Sequence, residues 1–172
     1  AAFAVGLDCG LDPGTALDGL AAFTGAARRF ELRGRAHGVT VYDDYAHHPT
    51  EVLAALRAGR AVAGEHGKVH VVFQPHLFSR TREFWAEFAD ALSLADTALV
   101  LEIYAAREQP LPGVHSSLVA DALNTAGGLV DRGDVAARIS EVARSGDIVM
   151  TIGAGDVTEL GPVIVSRLES GA

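Results

Sequence analysis

Lys68-Val69-His70-Val71-Val72-Phe73 is a short, largely β-branched run, and the way it reads governs the rest of the chain. Apolar along almost its whole length, it fits a strand covered on both faces rather than one with a wet side. Downstream the period changes to helical spacing near Arg80 to Ser93, then returns to an apolar run at Thr97 to Ile103. A helix near Ser116 to Thr125, a short strand around Leu129 and a helix at Gly133 to Arg144 follow, then a strand at Asp147 to Ile152 and a closing helix from Asp156. Upstream, Pro49 begins a helix that runs to Gly64. It is preceded by extended runs at Phe30 to Arg35 and Val39 to Asp43, joined in hairpin fashion by Ala36, His37 and Gly38. This alternation predicts an α/β fold, a Rossmann-like mostly parallel sheet with helices on both faces.

The first 26 residues read differently. Ala1 to Cys9 is apolar at helical spacing and is closed by Gly10. Asp12 is the expected N-cap of a second helix with Pro13 in its first turn, and Leu17, Leu20, Ala21 and Phe23 form its apolar face. The chain opens in what reads as mid-helix without an initiator methionine, which suggests a piece of a longer protein. The break at Gly25 to Arg29 marks a boundary, with residues 1–26 ending one domain and residues 27–172 forming another.

A chain of 172 residues can bury a sizeable core, and 49% hydrophobic residues with only 6% aromatics imply one built from Ala, Val and Leu. The net charge of −8 argues against nucleic acid or an anionic membrane surface as partner. No stretch approaches the roughly 20 apolar residues of a membrane span. The single cysteine, Cys9, excludes an internal disulfide, is expected inside its helix, and fits a cytoplasmic protein.

Ligands of open parallel sheets lie at the carboxyl ends of the strands, which singles out the loops Asp44 to His48, Gln74 to Ser79, Tyr104 to His115 and Gly153 to Asp156. The first is the richest: Tyr42-Asp43-Asp44-Tyr45-Ala46-His47-His48-Pro49-Thr50-Glu51 brings two acids, two histidines and two tyrosines to one strand end. Carboxylates there can accept bonds from sugar hydroxyls, and imidazoles can donate to carboxylate or phosphate. Alternatively, an aspartate caps the turn and the histidines are solvated. In Phe73-Gln74-Pro75-His76-Leu77-Phe78-Ser79-Arg80, His76 and Arg80 lie four apart, where backbone N–H groups and an arginine could meet a carboxylate. The plainer alternative has Ser79 capping the helix while Arg80 and Arg82 pair with Glu83, Glu87 or solvent. Gly153-Ala154-Gly155-Asp156 suggests backbone close to a ligand or a neighbouring loop, but Thr158 stands where a dinucleotide fingerprint needs glycine or alanine. No GxxxxGK[ST] run occurs, and no HExxH helix or cysteine pair supports a transition-metal site. A metal-dependent hydrolase built on the His and Asp cluster, or a nucleotide-binding module without chemistry, are the readings to weigh against an enzyme domain.

In this order, Arg28-Arg29-Phe30-Glu31, Asp43 through Glu51, Phe73 through His76 with Ser79-Arg80-Thr81, Ile103 through Glu108, and Gly153 through Asp156 resemble the C-terminal signature segments of the Mur ligase family. The resemblance is strongest to the branch acting on UDP-N-acetylmuramate and L-alanine and covers nearly the whole chain. It implies that residues 1–26 end the central ATPase domain and that 27–172 form the C-terminal domain of an enzyme of peptidoglycan synthesis. That enzyme would use ATP and magnesium to make an acyl phosphate, which the amine of L-alanine then attacks. By position, Arg29 and Asp44 match residues that hold ATP, Asp44 near the ribose. His47, His76 and Arg80 match residues facing the amino acid, and Tyr45 lines the same cleft. The position after His76 is often arginine in the family and is Leu77 here, which leaves more of the carboxylate binding to Arg80. The resemblance also implies that the fragment alone is inactive, since the magnesium ligands and UDP-binding parts lie in the enzyme's central and N-terminal domains. A peptide-recycling ligase of the same family is the near alternative.

Overall fold

The last strand in sequence lies in the middle of the sheet. In the computed structural model, which describes residues 1–23 and 25–171, six strands are ordered β1-β2-β6-β3-β4-β5. These are β1 (Glu31–Ala36), β2 (Val39–Asp44), β3 (Val69–Phe73), β4 (Thr97–Val100), β5 (Ala126–Leu129) and β6 (Ile148–Ile152). All neighbours run parallel except the β1–β2 hairpin. Its two-residue turn puts His37 (φ 48°) and Gly38 (φ 81°) both in the left-handed region, which matches the twist of paired strands.

A period of two sorts the strand residues between two cores. Val69, Val71 and Phe73 of β3, with Ile148, Met150 and Ile152 of β6, pack against α3 (Pro49–Ala63), α4 (Phe78–Leu92) and α5 (Ser117–Ala120). Val72 and Val149 face the other way, toward α6 (Val135–Val142) and α7 (Leu160–Ser170). Helices therefore cover both faces, as the apolar runs predict.

Several boundaries move. The strand expected to reach Ile103 ends at Val100, and Tyr104 instead bridges to His76. The helix expected over 116–125 is a single turn, because Thr125 is turned to bond the Ala95 carbonyl at 2.8 Å. The helices expected from Gly133 and Asp156 begin as 3-10 turns before α6 and α7, and the one expected from Arg80 starts at Phe78.

Near the N-terminus, α1 (Ala2–Asp8) and α2 (Pro13–Ala21) form as expected, with the Asp12 carboxylate accepting the Thr15 N–H at 3.0 Å. Their apolar face is uncovered: Leu17, Leu20 and Phe23 are exposed, and Ala16 is the one buried residue among 1–23. Cys9 is likewise exposed, at the end of α1, because no core surrounds that short helix. No helix among the described residues is long and apolar enough to cross a membrane.

At the sheet edge, Gly127 (φ 132°) lets β5 approach β4: a Cβ there would lie 1.9 Å from the Ala98 carbonyl oxygen. Gly127→Ala is therefore expected to cost roughly 1–3 kcal/mol, measured as a lower urea midpoint; an unchanged midpoint would mean that β5 contributes nothing to stability.

The amino end of the sheet is tied by a buried cluster. The Asp147 carboxylate accepts the N–H groups of Lys68 and Arg144, both at 2.8 Å, and faces His70 Nε2 at 3.1 Å. Burial pushes the Asp147 carboxyl up, but the Lys68 bond, followed by those from His70 and Arg144, holds it below the usual carboxylate range. A folded-state pKa below the unfolded value gives stability that is full above about pH 4 and is lost as pH falls through the folded pKa. The urea-midpoint gap between wild type and Asp147→Asn is thus expected to narrow between pH 7 and pH 3; a gap independent of pH would contradict it.

Candidate functional site

The carboxyl ends of β2, β6 and β3 gather the acids, imidazoles and arginines singled out in the sequence. Strand alternation sends the adjacent acids Asp43 and Asp44 to opposite faces. Asp43 is wholly buried on the side of α7, where its carboxylate accepts from Arg28 Nε at 2.9 Å, Thr151 Oγ1 at 2.6 Å and Thr158 Oγ1 at 3.0 Å. Asp44 faces α3 and accepts the N–H of Phe30 at 2.9 Å and of Ala46 at 2.8 Å. Each oxygen retains a lone pair for a hydroxyl donor.

The two arginines before β1 diverge as sharply. Arg28 is bound on three sides, to Asp43 and to the carbonyls of Gly153 at 2.6 Å and Gly155 at 3.2 Å. Arg29 is exposed, its N–H donates to the Ala26 carbonyl at 3.2 Å, its side chain makes no hydrogen bond or ion pair among the described residues, and it borders a shallow cavity of about 370 Å³ shared with Phe30, Asp44 and Glu51. The glycine loop is thus packed against a neighbouring segment. A Cβ on Gly155 would sit 2.6 Å from the Tyr104 ring, so glycine is needed for that contact.

Helix N-termini are natural anion sites, and here three are filled from within the chain. At α3, His47 and His48 donate their N–H groups to Glu51 at 2.9 and 3.3 Å. Burial raises the Glu51 carboxyl, yet these bonds and the nearby His47 bring it below its usual range. At α4, the Ser79 hydroxyl and N–H both donate to Glu108, which holds the Glu108 carboxyl low. Ser79 is therefore not the cap; Leu77 is the N-cap residue, at φ 73°, and a carboxylate from a distant loop satisfies the helix start. At the 3-10 turn before α7, the Val157 N–H goes to Gln74 Oε1 at 3.1 Å. The backbone donors expected to meet a ligand carboxylate beside Arg80 are thus already occupied. Arg80 has no carboxylate partner among the described residues and reaches only the His47 carbonyl, at 3.4 Å.

Four rings form a continuous row across three loops. Tyr45 meets His47 edge-on at 5.1 Å, His47 meets His76 at 6.1 Å, and His76 stacks on Tyr104 at 5.8 Å. The Arg28 and Arg29 guanidinium carbons lie 5.1 and 5.7 Å from the Tyr45 ring centre. Burial, then the charges of Arg80 and His47, lower the His76 pKa despite the opposing pull of Glu108, so its imidazole is neutral at neutral pH. Its buried Nδ1 has no hydrogen-bond partner.

The six residues read from the sequence, Arg29, Asp44, Tyr45, His47, His76 and Arg80, all lie along this edge. Sequence reading missed Tyr104, which closes the ring row, although it stands in a loop singled out by its strand-end position. No three His, Cys, Asp or Glu side chains converge in a metal-holding group among the described residues. Asp43 is turned to Arg28, and His48 to Thr50 and Phe84.

Comparison with known proteins gives a consistent picture. Residues 28–155 match the family model described as Mur ligase, glutamate ligase domain. The UDP-N-acetylmuramate–L-alanine ligases of Paenarthrobacter aurescens and Streptomyces avermitilis are 63% and 51% identical over 168 and 172 residues, 98% of this chain in each case. The chain spans only 36–37% of those relatives. Among solved structures, the UDP-N-acetylmuramate–alanine ligase of Thermotoga maritima superposes with a TM-score of 0.75 at 27% identity, covering 99% of this chain and 36% of that one. A murein peptide ligase from Psychrobacter arcticus shares the fold, with a TM-score of 0.69 at 23% identity over 98% of this chain and 35% of that one.

Proposed function

The chain belongs to the Mur ligase family, and from that premise we propose that it forms the C-terminal wall of the active site in an ATP-dependent ligase joining L-alanine to UDP-N-acetylmuramate. The observation that carries this reading is the single sheet edge where Arg29 and Asp44 border one cavity while His47, His76 and Arg80 line the adjoining row. The 63% identity to a relative named for that reaction favours it over the peptide-recycling ligase, whose solved relatives share the fold at 27% and 23% identity.

In this reading the muramic carboxylate attacks the γ-phosphorus of ATP, releasing ADP and leaving an acyl phosphate. The amine of L-alanine then attacks the acyl carbon, the nitrogen gives up a proton to solvent, phosphate leaves, and an amide remains. Arg29 faces the phosphates, where developing negative charge rewards a fixed cation. Asp44 offers its spare lone pairs to the ribose hydroxyls. Arg80 meets the carboxylate of alanine, and neutral His76 accepts a hydrogen bond from its amine, which must be unprotonated to attack. Tyr45 lines the wall between the two. Magnesium, when bound, would neutralise phosphate charge, and no residue of this chain is assigned to hold it. Residues 1–26 would end the central domain, and their uncovered apolar face would pack there.

The test is phosphate release by the full-length protein. Turnover that requires UDP-N-acetylmuramate, ATP and L-alanine together supports the assignment, whereas turnover independent of L-alanine rejects it. The 172-residue chain alone is expected to be inactive. Arg80→Ala is expected to raise the KM for L-alanine roughly 10- to 100-fold, the worth of a hydrogen bond to a charged group, with the KM for ATP unchanged; equal shifts in both would remove Arg80 from the amino-acid site.

A further inference from the structure

We propose that Arg28 is a positioning residue that presents Arg29 to the cleft, a role that rests on the ligase reading only for what Arg29 then binds. Arg29 is flanked by two residues in the left-handed region, Arg28 at φ 56° and Phe30 at φ 48°. Non-glycine residues reach that region at a cost, so two of them around one side chain persist only where surrounding bonds enforce them. Here the bonds are visible on both sides. Phe30 donates its N–H to Asp44, while Arg28 donates its N–H to Glu31 at 2.7 Å and accepts the Tyr45 N–H at 2.7 Å through its carbonyl.

The side chain of Arg28 completes the fixation. Its planar fork spends Nε on buried Asp43 and its two terminal nitrogens on the carbonyls of Gly155 and Gly153. Those acceptors lie on β2 and on the loop after β6, so one guanidinium joins the segment before β1 to two parallel strands. Arg28 is consumed by this tie and has little left to offer a ligand, while the side chain of its neighbour remains unpaired among the described residues. A lysine cannot replace it, since a single ammonium lacks the fixed fork that serves three acceptors in different directions.

The tie predicts coupling between the two arginines. Four full-length proteins decide it: wild type, R28K, R29A and the double variant, with R28Q as a second substitution at position 28 should R28K fold poorly. R28K is expected to raise the KM for ATP about tenfold while leaving the KM for L-alanine within about twofold. In the R29A background the same change is expected to have no further effect, because Arg28 acts through the residue already removed. Equal losses in both backgrounds, or parallel shifts in both KM values, would overturn the proposal as a general stability effect. Deuterium uptake gives a readout independent of turnover: amides of residues 28–31 and 45 are expected to exchange about tenfold faster in R28K with the rest of the sheet unaltered. Unchanged uptake there overturns the proposal. A wild type without L-alanine-dependent turnover would defeat the ligase reading instead, and the exchange comparison alone would then decide whether Arg28 fixes this segment.

Discussion

Arg29→Ala in the full-length protein is expected to lower kcat/KM for ATP by about 10²–10³-fold, the usual loss when one preorganised donor to developing charge is removed. The size follows from what else the edge can offer. Helix starts at α3, α4 and the turn before α7 are filled by Glu51, Glu108 and Gln74. Arg28 is bound to three acceptors, and Arg132 is paired with Asp156 and Glu159. Few donors remain to replace Arg29. Its exposure means that folding should be indifferent, with stability altered by less than about 0.5 kcal/mol. Kinetics and a thermal melt on the same preparation check both statements. A tenfold or smaller loss would move phosphate binding away from this arginine, and a large drop in melting temperature would make the kinetic loss uninformative about charge.

The largest stability effect is expected at Asp43. Its carboxylate has no exposure and three partners, of which the Arg28 side chain is 21% exposed. Removing one member of a buried pair costs about 3–5 kcal/mol because the other is left without compensation. Access of water to Arg28 reduces that to roughly 2–4 kcal/mol for Asp43→Ala. Denaturant unfolding of the chain provides the number. Asp43→Asn, which keeps an acceptor for a threonine hydroxyl, should fall between wild type and alanine. A loss for Asp43→Ala below about 0.5 kcal/mol, the size of an ordinary surface substitution, would mean that the Arg28 bonds contribute nothing to folding.

Features set by near neighbours in the chain were legible in the sequence. Alternating periods revealed the parallel sheet, Asp12 and Pro13 marked a helix start, and strand ends located the loops that hold the candidate residues. Side-chain assignments between adjacent residues were harder. Asp43 and Asp44 look equivalent as letters, yet strand alternation puts one under α7 and the other beside α3; Val39 and Val41, on the side of Asp43, were the available clue. Arg28 and Arg29 gave no such clue, because the segment before β1 has no period. Glu108 capping α4 could not be read locally either, since it closes a gap of 29 residues. Cys9 misled because helical spacing says nothing about whether another layer covers the helix.

The central place of β6 also governs how the molecule comes into being. Until residues 148–152 arrive, β2 and β3 have no strand between them, and the buried faces of Val41, Val71 and Val72 lack their covering partners. A chain growing from the ribosome therefore holds its sheet open for most of the length of this domain and closes it only near the end. Sheets that depend on such distant pairings form slowly and leave sticky intermediates exposed while they wait. Stop codons just before Ile148 should consequently yield insoluble product rather than a smaller folded domain, and chaperone demand should be highest in the last stage of synthesis.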